Sequence, residues 1–213
     1  IPVTRDRIRA LHAGFDYNGR GPLEGFHSLN FELRRGLKGL GANDEGDILL
    51  SRAQADPDFT LGHVNWNYKK LLVDNVALAT RVEGQLASKA LLSAEEFGFG
   101  GPRLGRGYDT AEITGDDGIA GSVELEYTGL DKLGPFRVTP SVFYDIGKVW
   151  NKDDNQPNGL SAASAGFAVD LATTHGINIL LGLAQPLTKD ISTPPKGNNG
   201  SNPRVLFDFR VNF

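Results

Sequence analysis

Cysteine and methionine are both missing from the 213 residues. Without cysteine there is neither a disulfide framework nor a thiolate metal site. With no methionine, and with Ile1-Pro2-Val3 at the start, the chain reads as a processed form or a fragment. Long apolar runs are missing too. Hydrophobic residues make up 39% of the chain, the mean hydropathy is −0.27, and no stretch approaches the length of a spanning helix. That excludes a helical membrane protein but not a membrane β-barrel, whose strands are only half apolar. A net charge of −4 removes the basic footprint of a nucleic-acid binder. Helical periodicity is almost absent, and so is the glycine-lysine loop that cradles nucleotide phosphates.

What is present centres on Glu96-Phe97-Gly98-Phe99-Gly100-Gly101-Pro102-Arg103-Leu104-Gly105-Arg106-Gly107-Tyr108. So many glycines, with a proline, argue against a regular strand or helix. A plain flexible loop is one reading. Three aromatic rings and two arginines point to the other, a structured loop with a role. It is followed by Gly115-Asp116-Asp117-Gly118 and then by alternating Ile119, Gly121, Val123, Leu125 and Tyr127, so it sits between strands.

Apolar/polar alternation recurs along the whole chain. Asp6 to Tyr17 has ambiguous parity, with Ile8 and Ala10 on one face and Leu11, Ala13 and Phe15 on the other. Clearer stretches run over Phe26–Leu37, Phe59–Leu71, Val76–Ala87, Gly118–Tyr127, Phe136–Trp150, Leu160–Ala172 and Gly176–Leu187. The last, Val205, Phe207, Phe209, Val211 and Phe213, interleaves with Leu206, Asp208, Arg210 and Asn212. About nine strands result.

The connections alternate short and long, which trims one end of a sheet and elaborates the other, as in outer-membrane barrels. A β-sandwich would also alternate along its strands but has no reason to keep that rhythm. Trp66, Tyr68, Tyr127, Tyr144 and Trp150 are expected towards strand ends, where interfacial belts form. The expected architecture is therefore an all-β, antiparallel, up-and-down transmembrane β-barrel.

Several motifs carry a family resemblance. Gly100-Gly101 with Arg106-Gly107-Tyr108 resembles the glycine-glycine…arginine-glycine-aromatic loop signature of the barrel-assembly and surface-antigen superfamily. Phe143-Tyr144-Asp145-Ile146-Gly147 resembles its aspartate-x-glycine strand motif. His27-Ser28-Leu29-Asn30-Phe31 leading to Gly36-Leu37, Gln85-Leu86-Ala87 leading to Glu96-Phe97, Gly115-Asp116…Gly118 and Ala184-Gln185-Pro186-Leu187 resemble the two-partner secretion transporters, the haemolysin secretion/activation proteins. One departure is Gly105, where that family usually has valine or isoleucine before the arginine, and it loosens the loop backbone.

The resemblance implies a sixteen-stranded barrel, of which residues 1–213 would supply about the last nine strands. Two periplasmic domains and the first strands would lie outside this chain, and residues 92–117 would form a loop folded into the lumen. Arg106 would lock that loop to Asp145, with Gly100, Gly101, Gly107 and Tyr108 shaping the loop and Tyr144 and Gly147 the strand. From parity alone Asp145 faces away from Val142 and Tyr144. Without the resemblance it is one lumen charge among many and Arg106 is solvated. Phe207, Phe209, Val211 and Phe213 would carry the signal read by the barrel-assembly machinery.

The implied function is secretion of an unfolded partner polypeptide across the outer membrane of a Gram-negative bacterium, without ATP or any cofactor. An insertion factor for other barrels, or the barrel of a surface hydrolase, are the alternatives. No catalytic constellation is readable. Glu124 and Glu126 with Arg81 and Glu83 suggest a lateral charge network on the lumen face, which is ordinary in such barrels. His12, His27, His63 and His175 lack ligand spacing, so no metal site is expected. Asp116-Asp117 and Asp153-Asp154 read as turn formers.

Overall fold

The computed structural model describes residues 4–130, 132–153, 157–188 and 202–212. Its strands are β1 (Ala10–Arg20), β2 (Phe26–Gly36), β3 (Thr60–Val73), β4 (Val76–Ala87), β5 (Phe97–Phe99), β6 (Ile113–Gly115), β7 (Asp117–Tyr127), β8 (Phe136–Trp150), β9 (Gly159–Thr173), β10 (Ile177–Pro186) and β11 (Arg204–Val211). Nine of them form one sheet in the order β1-β2-β3-β4-β7-β8-β9-β10-β11, while β5 and β6 form a separate ribbon. Every pairing is antiparallel between neighbours in the meander, so the sheet runs up and down with β1 and β11 at its edges. Among the described residues no helix is long and apolar enough to cross a membrane.

Register fixes the faces. In an antiparallel pair directly opposed residues share a face. Phe31 opposes both Phe15 and Val64, and Leu29 opposes both Tyr17 and Trp66. Farther along, Val142 opposes Leu125 and Phe167, Phe167 opposes Leu183, and Leu183 opposes Val205. Among the described residues nothing covers this continuous apolar face: Phe15 is 54% exposed and Val205 77%. The ambiguity in the first strand is thereby resolved. Leu11, Ala13, Phe15 and Tyr17 lie on the apolar face, and Ile8 precedes the strand and packs beneath the long loops.

The opposite face is polar towards the short-loop end and turns small or apolar towards the long-loop end. Gly118, Ala120, Gly147, Val149, Ala162 and Ser164 belong to that second region. There Phe97, Phe99, Leu104, Tyr108 and Ile113, all from the connection 88–116, pack against Ala120, Val149 and Ala162 in the principal core.

Four expectations change. The glycine-rich stretch does contain strand, because Phe97–Phe99 pairs with Ile113–Gly115. Once ribbon partner and sheet wall supply contacts, a short Phe-Gly-Phe run can be extended despite the glycine at its centre. Trp66 and Tyr144 lie well inside β3 and β8, and only Tyr127 and Trp150 end their strands. There Trp66 stacks on His27 and Tyr68. The alternation of short and long connections weakens at 151–158, which is no longer than 128–135 at the other end. The long loop spans 88–116 rather than 92–117, since β4 ends at Ala87 and Asp117 already opens β7. Phe213 and Asp154 lie outside the described residues.

Candidate functional site

The site is assembled where the loop 88–116 meets β7, β8 and β9. A row of opposed residues, Ser122, Asp145 and Ser164, crosses these strands on the loop-bearing face. Both neighbours of the carboxylate are small, which leaves room for a guanidinium beside it.

Arg106 fills that room. Its Nε donates to Asp145 Oδ2 at 3.0 Å and its Nη2 to Oδ1 at 2.9 Å, the bidentate fork that guanidinium and carboxylate geometries favour. The Arg106 backbone N–H adds a third bond to Oδ2 at 2.9 Å. Nη2 also donates to Ser122 Oγ at 2.9 Å, and Nη1 to Glu124 Oε2 at 2.7 Å. The guanidinium carbon lies 3.4 Å from the centroid of the Phe143 ring, a cation–π arrangement. Asp145 is fully buried and Arg106 nearly so. Burial by itself would lower the Arg106 pKa, but the bonds and charges of Asp145 and Glu124 outweigh it and the net shift is upward. The cation is therefore held, not neutralised.

Glycines place this arginine. Gly100 (φ +121°), Gly101 (φ +111°) and Gly105 (φ +76°) adopt backbone that side-chain-bearing residues rarely enter. At Gly107 a Cβ would come within 2.8 Å of Ser164 Cβ, and its N–H donates to Ser164 Oγ at 3.2 Å. Tyr108 is buried and its hydroxyl donates to Ala163 O at 2.7 Å. On β8, Gly147 lies beneath the Phe99 ring, where a Cβ would sit 2.3 Å from Phe99 Cδ2. Tyr144 points to the apolar face and does not touch the loop cluster.

The structure brings Arg106, Asp145, Gly107, Tyr108 and Gly147 into one contact region. It leaves Tyr144 and the stripe Phe207, Phe209 and Val211 outside it, on the apolar face. It also adds residues the sequence reading assigned to the general lumen charge or did not single out. Glu124 is a direct partner of Arg106, and Ser122 and Phe143 complete its shell. Parity placed Glu124 and Asp145 on one face, but their proximity needed the register Glu124↔Phe143.

A second buried ion pair lies nearer the long-loop end. Asp116, read from sequence as a turn former, is fully buried and accepts a fork from Arg52, at 2.5 Å from Nη1 and 3.2 Å from Nη2. It also accepts the Leu91 N–H at 2.6 Å and the Lys152 N–H at 2.7 Å. Burial alone would raise the Asp116 pKa, yet Arg52 and these two amides hold it below the usual range. Gln85 donates to the carbonyls of Glu95 (2.9 Å) and Asp116 (3.2 Å), stitching β4 to both limbs of the loop. Arg52 carried no signal in sequence, because its loop has no periodicity.

Elsewhere on the polar face charges are paired side by side. Lys69 meets Glu126, Arg103 meets Glu83, and Arg81 donates to Asn67 and to the Arg103 carbonyl. No group of histidine, aspartate and glutamate among the described residues is arranged to hold a metal ion. Asp145 and Glu124 are both engaged by Arg106, and Glu124 also accepts from Ser141 Oγ at 2.6 Å.

Comparison with known proteins gives a consistent picture. The family model for the haemolysin secretion/activation protein ShlB/FhaC/HecB matches residues 1–171. The chain is 22% identical over 198 residues to the heme/hemopexin transporter protein HuxB of Haemophilus influenzae, covering 89% of this chain and 34% of HuxB. It thus spans about a third of the length of that relative. Among solved structures, CdiB from Escherichia coli superposes with a TM-score of 0.74 at 20% identity, over 99% of this chain and 38% of CdiB. BamA from Haemophilus ducreyi superposes with a TM-score of 0.65 at 18% identity, over 94% of this chain and 42% of BamA. At these identities the two structures establish a shared fold.

Proposed function

Since the chain belongs to the haemolysin secretion/activation family, we propose that it supplies nine strands and the lumenal loop of an outer-membrane pore. That pore secretes an unfolded partner polypeptide without ATP. The transporters of this family are outer-membrane β-barrels of Gram-negative bacteria and act with a secreted partner. On this reading the apolar face meets lipid and the polar face lines the conduit. The remaining strands of a sixteen-stranded barrel, and the domains that capture the partner, belong to sequence outside residues 1–213.

The observation that carries the reading is the loop 88–116 lying on the polar face and fastened there by charge, through Arg106, Asp145 and Glu124. An extended polypeptide offers a backbone donor and acceptor at nearly every residue. A wall bearing Asn65, Asn67, Arg81 and Glu83 can exchange bonds with such a chain without an apolar patch to trap it. Arg106 and Asp145 are the proposed lock, with Glu124 sharing the cation.

The test uses the full-length transporter expressed with its partner. Arg106→Ala and Asp145→Ala should each remove most of the secreted partner from the medium while heat-modifiable barrel in the outer membrane stays near wild-type level. The double variant should be no worse than either single, because residues that act as a pair are non-additive. Additive losses would show that they are not partners. Levels of unrelated outer-membrane barrels should not change. Their depletion would instead favour an insertion factor.

A further inference from the structure

We propose that Arg52 and Asp116 form a second latch, one that draws the loops at the long-loop end across the mouth of the pore and opens independently of the Arg106 contact. The proposal rests on the pore reading above and adds a closure at a different place in the molecule.

Three connections converge on this one carboxylate. Arg52 comes from 37–59, Leu91 and Asp116 itself from the two limbs of 88–116, and Lys152 from 151–158. Arg52 further donates to the Leu91 carbonyl at 2.8 Å and lies 3.4 Å from Asn151 Oδ1. Strands β3 and β8, which border the outer two connections, are three sheet spacings apart, about 14 Å at roughly 4.8 Å each. A side chain that joins their loops must therefore reach over the end of the sheet rather than along one strand. Apolar packing supports the crossing. Leu50 and Ala55 pack with Leu92, and Phe59 and Leu61 pack with Leu91.

Charge makes the crossing releasable. Among the described residues Arg52 is the cation that pairs with Asp116; Glu96 Oε1 lies 3.4 Å from Arg52 Nη1, and Asp153 is buried within reach of the Arg52 charge. With Arg52 in place the carboxylates share a counter-ion. With Arg52 withdrawn they repel one another in a buried setting, and the loops separate. The latch lies at the base of the loop and Arg106 at its tip: Asp116 links β6 to β7, whereas Arg106 lies before β6. Movement of the Gly100–Tyr108 tip leaves the Asp116 contacts intact, and release of Arg52 leaves the Arg106 fork intact.

Purified full-length protein in planar bilayers tests this, alongside vancomycin sensitivity of cells expressing it. Arg52→Gln and Asp116→Asn should each raise time-averaged conductance about fivefold or more, the range of a modest coupling between sites. Heat-modifiable barrel should be retained. Combining the two should add little, whereas combining Arg52→Gln with Arg106→Ala should give additive changes. Arg52→Lys, which keeps the charge but loses the fork, should fall between wild type and Arg52→Gln. Wild-type conductance in folded Arg52→Gln would overturn the latch. So would loss of folded barrel in both Arg52→Gln and Asp116→Asn, which would make the pair a folding element. Should neither the wild-type protein nor folded Arg52→Gln conduct, the pore reading fails and not merely the latch.

Discussion

Arg106 engages each nitrogen of its guanidinium: Nε and Nη2 with Asp145, Nη2 also with Ser122, and Nη1 with Glu124. Removing one partner of such a buried pair strands the other and costs about 3–5 kcal/mol. The charge works only because glycines admit the rest of the loop. At Gly105 the family's usual valine or isoleucine is excluded in this backbone, since φ is +76° and a Cβ would lie 2.8 Å from two atoms of the Phe99 ring. Phe99 occupies that space and also presses on Gly147, so the glycine of the aspartate-x-glycine motif is the floor for a ring. Gly147→Ala is therefore expected to destabilise by roughly 1–3 kcal/mol, the usual cost of overpacking. Phe99→Leu should recover part of it in the double variant, read by thermal unfolding in detergent. Strictly additive losses would mean that the ring and the glycine do not share the space.

Among the elements, β11 separates two demands most clearly. Val205, Phe207, Phe209 and Val211 face outward while Asp208 and Arg210 pair with each other at 2.7 Å on the other face. If the outward face meets lipid, Phe207→Arg should lower heat-modifiable barrel, at a cost of about 2–4 kcal/mol near the bilayer midplane. Asp208→Asn, one residue away but on the wet face, should leave it near wild type. Equal effects would refute the assignment of faces. This two-faced pattern is also why the nine strands were legible in sequence: a period of two needs no tertiary information. The β5–β6 ribbon was not legible, because three residues cannot show a period and Phe97-Gly98-Phe99 is extended only through its partner and the wall behind it. The inward parity of Asp145 could be read from Val142 and Tyr144, whereas Arg52 meeting Asp116 depends on how two aperiodic loops pack. Trp66 shows a related limit: it is expected towards a strand end but lies in the middle of β3, where its indole N–H donates to His27 Nδ1 at 3.1 Å.

For the whole molecule, the decisive feature is that the sheet has two free edges. Among the described residues β1 pairs only with β2 and β11 only with β10, and both continue the apolar face. In water such edges invite aggregation. In hydrocarbon each unpaired backbone group costs several kcal/mol, which is why spanning sheets close. Nine meandering strands are also an odd count, unlike the even-numbered bacterial barrels. Residues 1–213 expressed alone behind a secretion signal should therefore give no heat-modifiable outer-membrane species and should be degraded or aggregate. The same residues within the full-length protein should give one. The inner loop sharpens the comparison, because Arg106, Asp145 and their partners all lie within this stretch and their contacts need no further strand. Failure of the isolated stretch would then trace to its edges and not to its core. A heat-modifiable, protease-resistant barrel formed by residues 1–213 alone would show that β1 and β11 can satisfy each other, and the sixteen-stranded reading would be withdrawn.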